Sequence, residues 1–229
     1  IDEVAIYNRS LSASEVYEHY NRLKGQFNSQ VLDTSASNTT FNNISWNEPY
    51  PYGEELPNNR FDEKRGANGK VTGANMSGNV LLLHFNNDTL DYSGASNNGA
   101  QVSAGVTCNS TLTTGIFLGS CEFDGVNGNI TINDADSLSF IDRNMSVSLW
   151  IKPNELNSLQ QIITKRISVG TNSEYQLLLG SDNTITMAYL TSAGADICAA
   201  TSSATLERNN WYHIGVSNNA SSCLIYING

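Results

Sequence analysis

Positive charge is scarce in this 229-residue sequence. Twelve Lys and Arg stand against 22 Asp and Glu, for a formal net charge of −10. No basic stripe occurs anywhere, so the attraction that drives phosphate-backbone binding is missing and nucleic acid is not an expected partner. No apolar run reaches 18 residues, which argues against membrane insertion within this stretch. The first residue is Ile1, so the lack of a leader says nothing about a parent chain. Only three His occur, and the four Cys form no C-x-x-C, so a zinc cluster is not expected. A G-x-S-x-G nucleophile turn is also missing. Proline is limited to four residues, while Asn, Ser, Thr and Gly are plentiful. That composition suits short strands joined by polar turns. With 39% hydrophobic and 15% charged residues, the chain is of the folded kind.

The sharpest local pattern comes first. In IDEVAIYN, Val4 and Ile6 point one way and Ala5 and Tyr7 the other, as in a strand. Ser12 and Glu15 form an S-x-x-E capping box, with Leu11 and Val16 at the staple positions around it. Val16, Tyr20 and Leu23 then recur at helical spacing until Gly25. Residues 25–79 change character. They hold three of the four prolines and the mixed-charge run RFDEKRG, and they read as a linker with room for short strands. From Val80 onward VLLLHF, ITIN, MSVSLWIKP, EYQLLLG, TITMAYL, NWYHIGVS and SCLIYING follow at sandwich-like intervals. In MSVSLWI, Met145, Val147, Leu149 and Ile151 share one face and Ser146, Ser148 and Trp150 the other. The fold class is all-β, an antiparallel β-sandwich with one short capped helix near the N-terminus.

Cys108 and Cys121 flank a polar connection, as do Cys198 and Cys223. The expected disulfides are Cys108–Cys121 and Cys198–Cys223, which require an oxidising, extracellular or cell-surface setting. Nine N-x-S/T sequons, Asn8 and Asn219 among them, agree with that setting without establishing it. Asn87, Asp88, Asp91, Ser93, Asn97 and Asn98 crowd one loop. Such a group offers either the hard oxygen ligands that calcium prefers or a turn whose Asx side chains cap their own backbone. His84 and His213 read as satisfied sheet residues, and Trp150 and Trp211 as core.

LLLHFNNDTLDYSGASNNGA, CEFDGVNGNITI, SVSLWIKP, NNWYHIGVSNNASSCLIYING and IDEVAIYNRSLSASEVYEHY together resemble the LamG-like (laminin G, concanavalin A-like) jelly-roll family. The resemblance covers residues 1–24 and 80–229. In that family the IDEV-type strand and its capped helix close a module, whereas here they come first. The resemblance therefore implies three parts: a closing strand and helix of a preceding module (1–24), a linker (25–79), and a module lacking its last strands (80–229), as in a tandem repeat. It further suggests that Ile1–Tyr7 fills the slot of the missing closing strand. It implies a calcium ion held by Asp88, Asp91, Ser93 and Asn98 with Asp2 or Glu3 from the IDEV strand. It implies a glycan or extracellular protein ligand met by Tyr92, Asn97, Asn98 and Tyr189. Glucanases of this fold class use E-x-D-x-x-E, but here EFDGVN has Asn127 in place of the second Glu, and Asp124 reads as a turn residue. No catalytic residue is expected. The implied function is a non-catalytic recognition or adhesion module; the alternatives are an accessory carbohydrate-binding domain of a polysaccharide-degrading enzyme and a structural spacer.

Overall fold

The computed structural model describes residues 1–23, 53–63, 73–111, 114–140, 142–165, 174–190, 196–219 and 221–229. Two antiparallel sheets face each other. The larger has the order β13(Ser222–Ile227), β12(Tyr212–Asn219), β7(Met145–Ile151), β1(Asp2–Tyr7), β2(Asn79–Leu83), and the smaller β11(Asp196–Thr205), β10(Thr184–Leu190), β9(Glu174–Leu179), β8(Gln160–Lys165). Two ribbons complete it: β3(Gly99–Val102) with β6(Ile130–Ile132), and β4(Val106–Asn109) with β5(Ser120–Phe123). This is a concanavalin A-like β-sandwich. Cys108 and Cys121 stand directly opposite each other in the β4–β5 pair and form the expected disulfide. The side chain of Cys198 lies outside the described residues, and so does its expected pairing with Cys223. Their strands, β11 and β13, belong to different sheets rather than to one hairpin.

Strand parity explains the core. Val4 and Ile6 of β1, Met145, Val147, Leu149 and Ile151 of β7, and Ile214 and Val216 of β12 point inward. They meet Tyr175, Leu177 and Leu179 of β9 and Ile185, Met187 and Tyr189 of β10. β1 lies in the interior of the larger sheet. It pairs with β2 through Val4↔Leu83 and Ile6↔Leu81, and with β7 through Ala5↔Ser148 and Ile6↔Val147. Its neighbours are thus β2 and β7, while β13 sits at the far edge. All six of its residues are buried.

The outer face of the larger sheet is covered as well. Helix α1(Ala13–Asn21) begins with the reciprocal capping box, Ser12 accepting from the Glu15 N–H and Glu15 from the Ser12 N–H. Val16 of α1 lies on Gly215, where a Cβ would come within 2.4 Å of its Cγ1, so β12 needs glycine for the helix to approach. The polar face of β7 holds the helix and the turn before it. Ser146 Oγ accepts the Leu11 N–H at 2.8 Å and donates to the Arg9 carbonyl at 2.9 Å. Ser148 Oγ lies 3.0 Å from His19 Nδ1 and 2.9 Å from His213 Nε2, forming a buried His–Ser–His chain beneath α1. Trp150 packs against His213 and Tyr20 on the same face. Residues 53–63 and 73–78 extend this layer, bringing Leu56, Ala74 and Met76 against Ala5, Tyr7 and Leu82.

Burial pushes both imidazoles down to about 3; for His19 the charges of His213 and Arg22 add to the effect. A histidine held neutral in the fold contributes stability above its unfolded pKa of about 6.5, and that contribution is lost as pH falls toward 3. Between pH 6.5 and 5 the two imidazoles are expected to remove about 1–3 kcal/mol of stability, partly offset by Asp2, whose carboxyl burial raises to about 7. Urea midpoints across that range measure it, and His213→Gln should flatten the slope.

Candidate functional site

At its outer end β1 carries an irregularity in its pairing with β7, between Asp2 and Ala5. There Glu3 adopts φ +51°, a left-handed conformation that costs a non-glycine residue roughly 1 kcal/mol or more. Bulges of this kind re-aim a side chain. Here Glu3, 2% exposed, meets His84, which follows β2 and is 4% exposed. Glu3 Oε1 bonds His84 Nδ1. Glu55 Oε2 lies 3.8 Å from the same nitrogen. These three ligand atoms all lie within 4.8 Å of one another.

Each member is oriented by a further partner. Glu3 Oε2 accepts the Leu56 N–H at 3.0 Å. Glu55 Oε1 accepts from Asn86 Nδ2. His84 Nε2 donates to Asn58 Oδ1 at 2.7 Å, and the imidazole rests against the Tyr92 ring with centroids 4.8 Å apart. Burial alone would lower the His84 pKa, yet Glu3 and Glu55 raise it overall. Burial raises that of Glu55, with the charge of Glu3 adding to the effect. His84 and residues 53–58 line an open cleft of about 380 Å³, with Leu118 on its apolar side.

The loop after His84 is held by its own acids. Asp91 Oδ1 accepts the N–H groups of Leu82 and Ser93 at 2.9 and 2.8 Å. Its Oδ2 accepts the Asn97 N–H at 2.8 Å and the Ser93 hydroxyl at 2.9 Å. Asn98 Oδ1 takes the Asp91 N–H. Asp88 accepts from the Leu90 N–H and the Tyr92 hydroxyl. Asp2 turns instead to the Ile116 N–H at 2.7 Å. The six expected calcium ligands thus divide: Asp91, Ser93 and Asn98 knit a turn, Asp88 anchors Tyr92, Asp2 holds the 114–119 loop, and Glu3 alone enters the cluster with His84. Among the expected ligand contacts, Asn98 is exposed and Tyr92 half-buried. Asn97 is buried and donates to the Val80 carbonyl. Tyr189, expected as a stacking surface, is fully buried beside Tyr175, because its strand parity turns it into the sandwich core. Asp124 is a turn residue as expected, its carboxylate accepting the N–H groups of residues 126, 127 and 128.

His84 read from sequence as a satisfied sheet residue, and its hydrogen bonds agree. Glu55 lay in a stretch with no periodicity, PYPYGEELP, and no local signal ties it to a histidine 29 positions later.

Residues 124–229 match a laminin G family model described as the concanavalin A-like lectin/glucanases superfamily. That stretch is LamG-like. The match runs from Asp124 through β13, so it takes in β7, β12 and the whole smaller sheet. The cleft, Glu3, Glu55 and His84 fall outside it. No curated protein and no solved structure matches the chain. At the general level, that match supports a carbohydrate- or ligand-binding module. No described helix is long and apolar enough to cross a membrane.

Proposed function

We propose that the chain is a non-catalytic recognition module of an extracellular or cell-surface protein, and that it binds glycan through the cleft beside β1 and β2. The observation that carries this reading is the lectin/glucanase match on a sandwich whose sheet edge opens into a cleft of mixed polar and apolar lining. The Glu54 and Asn58 side chains offer hydrogen-bond partners for hydroxyl groups, and Leu118 offers an apolar wall, the mix that small-ligand sites use. The Cys108–Cys121 disulfide supports an oxidising environment. The strand and helix of residues 1–23 are read as those that close a LamG-like module. Here they complete the sandwich formed by the later strands, in a permuted order.

The resemblance also implies calcium, but the oxygen donors do not fit that ion. Asp91 spends both carboxylate oxygens on its own turn, and the cluster at Glu3 contains an imidazole nitrogen, a poor partner for a hard cation. Recognition through the cleft needs no calcium. On a glycan array the purified chain is expected to bind a restricted set of sugars, with Asn58→Ala weakening every hit and the addition or omission of Ca²⁺ leaving them unchanged. An array blank at high protein concentration would leave adhesion to protein or a spacer role in place of glycan recognition.

A further inference from the structure

Glu3, Glu55 and His84 come from three parts of the chain that share no local pattern: a bulged strand, the 53–63 segment and the end of β2. Their outer hydrogen bonds turn one ligand atom of each toward the other two: Glu3 Oε1 and His84 Nδ1, which bond each other, and Glu55 Oε2 beside them. The Leu56 N–H and Asn86 each occupy one oxygen of a carboxylate, so Glu3 Oε1 and Glu55 Oε2 turn inward. Asn58 accepts from His84 Nε2, so it is Nδ1 that faces the two carboxylates, and the proton it shares with Glu3 Oε1 is the one a metal ion would displace. Without that proton, two carboxylate oxygens and a nitrogen lone pair would repel one another, so the site holds either the proton or a metal cation in its place. Outer partners of this type, an amide on the far ring nitrogen and N–H donors on the carboxylates, are what hold metal ligands in place.

We propose that Glu3, Glu55 and His84 form a site for a late first-row divalent metal ion of the Zn²⁺ class. The donor chemistry selects the ion. Mixed imidazole and carboxylate ligands suit zinc and its neighbours, whereas calcium takes six to eight oxygens. A four-coordinate ion needs ligand atoms about 3.4 Å apart. The His84–Glu55 separation of 3.8 Å is close to that, and the His84–Glu3 contact opens as the ion replaces the proton between them. Three protein ligands leave one position open, and because His84 and Glu55 line the cleft, that position faces it. A water molecule or an oxygen of a cleft ligand fills it. The inference goes beyond the recognition reading and does not depend on it, since the ion can be held whether or not the cleft takes a sugar.

The test uses the intact chain, stripped with EDTA and dialysed at neutral pH. Calorimetric titration with Zn²⁺ alone is expected to give one ion per chain and to raise the melting temperature. Co²⁺ is expected to give visible absorption bands of a low-coordinate nitrogen–oxygen site. Ca²⁺ at the same concentration should do neither. His84→Gln and Glu55→Gln should each weaken Zn²⁺ at least about 100-fold, and Asn58→Ala, which touches no ligand atom of the ion, about 10-fold. Absence of stoichiometric Zn²⁺ and Co²⁺ binding by the wild-type chain would overturn the site and leave a protonated His84 between two acids. So would Zn²⁺ affinity unchanged in both glutamine variants, or Ca²⁺ bound as tightly as Zn²⁺. A blank glycan array with Zn²⁺ bound would sink only the recognition reading.

Discussion

A chain lacking residues 1–23 is expected to lose its cooperative unfolding transition altogether, and a synthetic peptide of residues 1–23 added in trans is expected to restore it. β1 is not an edge strand that can fray. It lies between β2 and β7, so its removal leaves two unpaired strand edges inside one sheet. Val4 and Ile6 leave the inter-sheet core, and Leu11 and Val16 leave the outer one. At about 1.5–3 kcal/mol for each large apolar side chain, these four alone account for roughly 6–12 kcal/mol. Whole-domain stabilities are about 5–15 kcal/mol. Far-UV circular dichroism through a thermal ramp, with dye binding to report exposed apolar surface, reads the result. A sharp melt in the shortened chain without peptide would show that β1 is dispensable.

The second large effect is expected at Arg22, which is 1% exposed and closes the C-terminal end of α1. Its guanidinium spans Glu63, with Nη1 at 2.6 Å from Oε2 and Nη2 at 3.3 Å from Oε1, and it also donates to the carbonyls of Glu54 and Glu55. Glu63 in turn accepts the Ala74 N–H at 2.8 Å. One side chain therefore ties the helix to both described pieces of the outer layer. Arg22→Ala strands a mostly buried carboxylate and two carbonyls. Breaking such a pair costs about 3–5 kcal/mol, which for a chain of this size lowers Tm by about 6–20 °C. Lysine keeps the charge but not the planar fork, so Arg22→Lys should fall between. Arg22→Met combined with Glu63→Gln should recover part of the loss, because no charge is then left unpaired. A loss below about 1 kcal/mol for Arg22→Ala would mean that the outer layer holds without it.

Local chemistry was readable ahead of the structure. The strand parity of IDEVAIY and MSVSLWI, the Ser12–Glu15 box and the Cys108–Cys121 pairing all depend on residues close in sequence, and each is realised. The polar face of β7 was visible as a face. That its serines would be buried under α1, bonding the backbone at Arg9 and Leu11, was not, because parity does not say what covers a face. Tyr189 shows the same gap: a tyrosine on an alternating strand is equally consistent with either side of the sheet. The site was harder still. Asp2 and Glu3 were visible as acids at the head of an otherwise apolar strand, and Asp91 as an acid in a polar loop. Their fates separated because Asp91 had three backbone N–H donors within reach and Glu3 had an imidazole. Glu55 joined through a long-range approach that no periodicity encodes.

The place of β1 in the sheet also sets a timetable for synthesis. Ile6 emerges from the ribosome some 140 residues before its partner Val147. At about 5–20 residues per second the strand waits roughly 7–30 s for its neighbour. During that interval only β2 and the outer layer are available to it, and the inward-facing Val4 and Ile6 have no opposing sheet to join. Contacts of such long sequence separation slow folding and leave intermediates open to aggregation. Nascent chains stalled before and after β7 should therefore differ sharply in their need for chaperones.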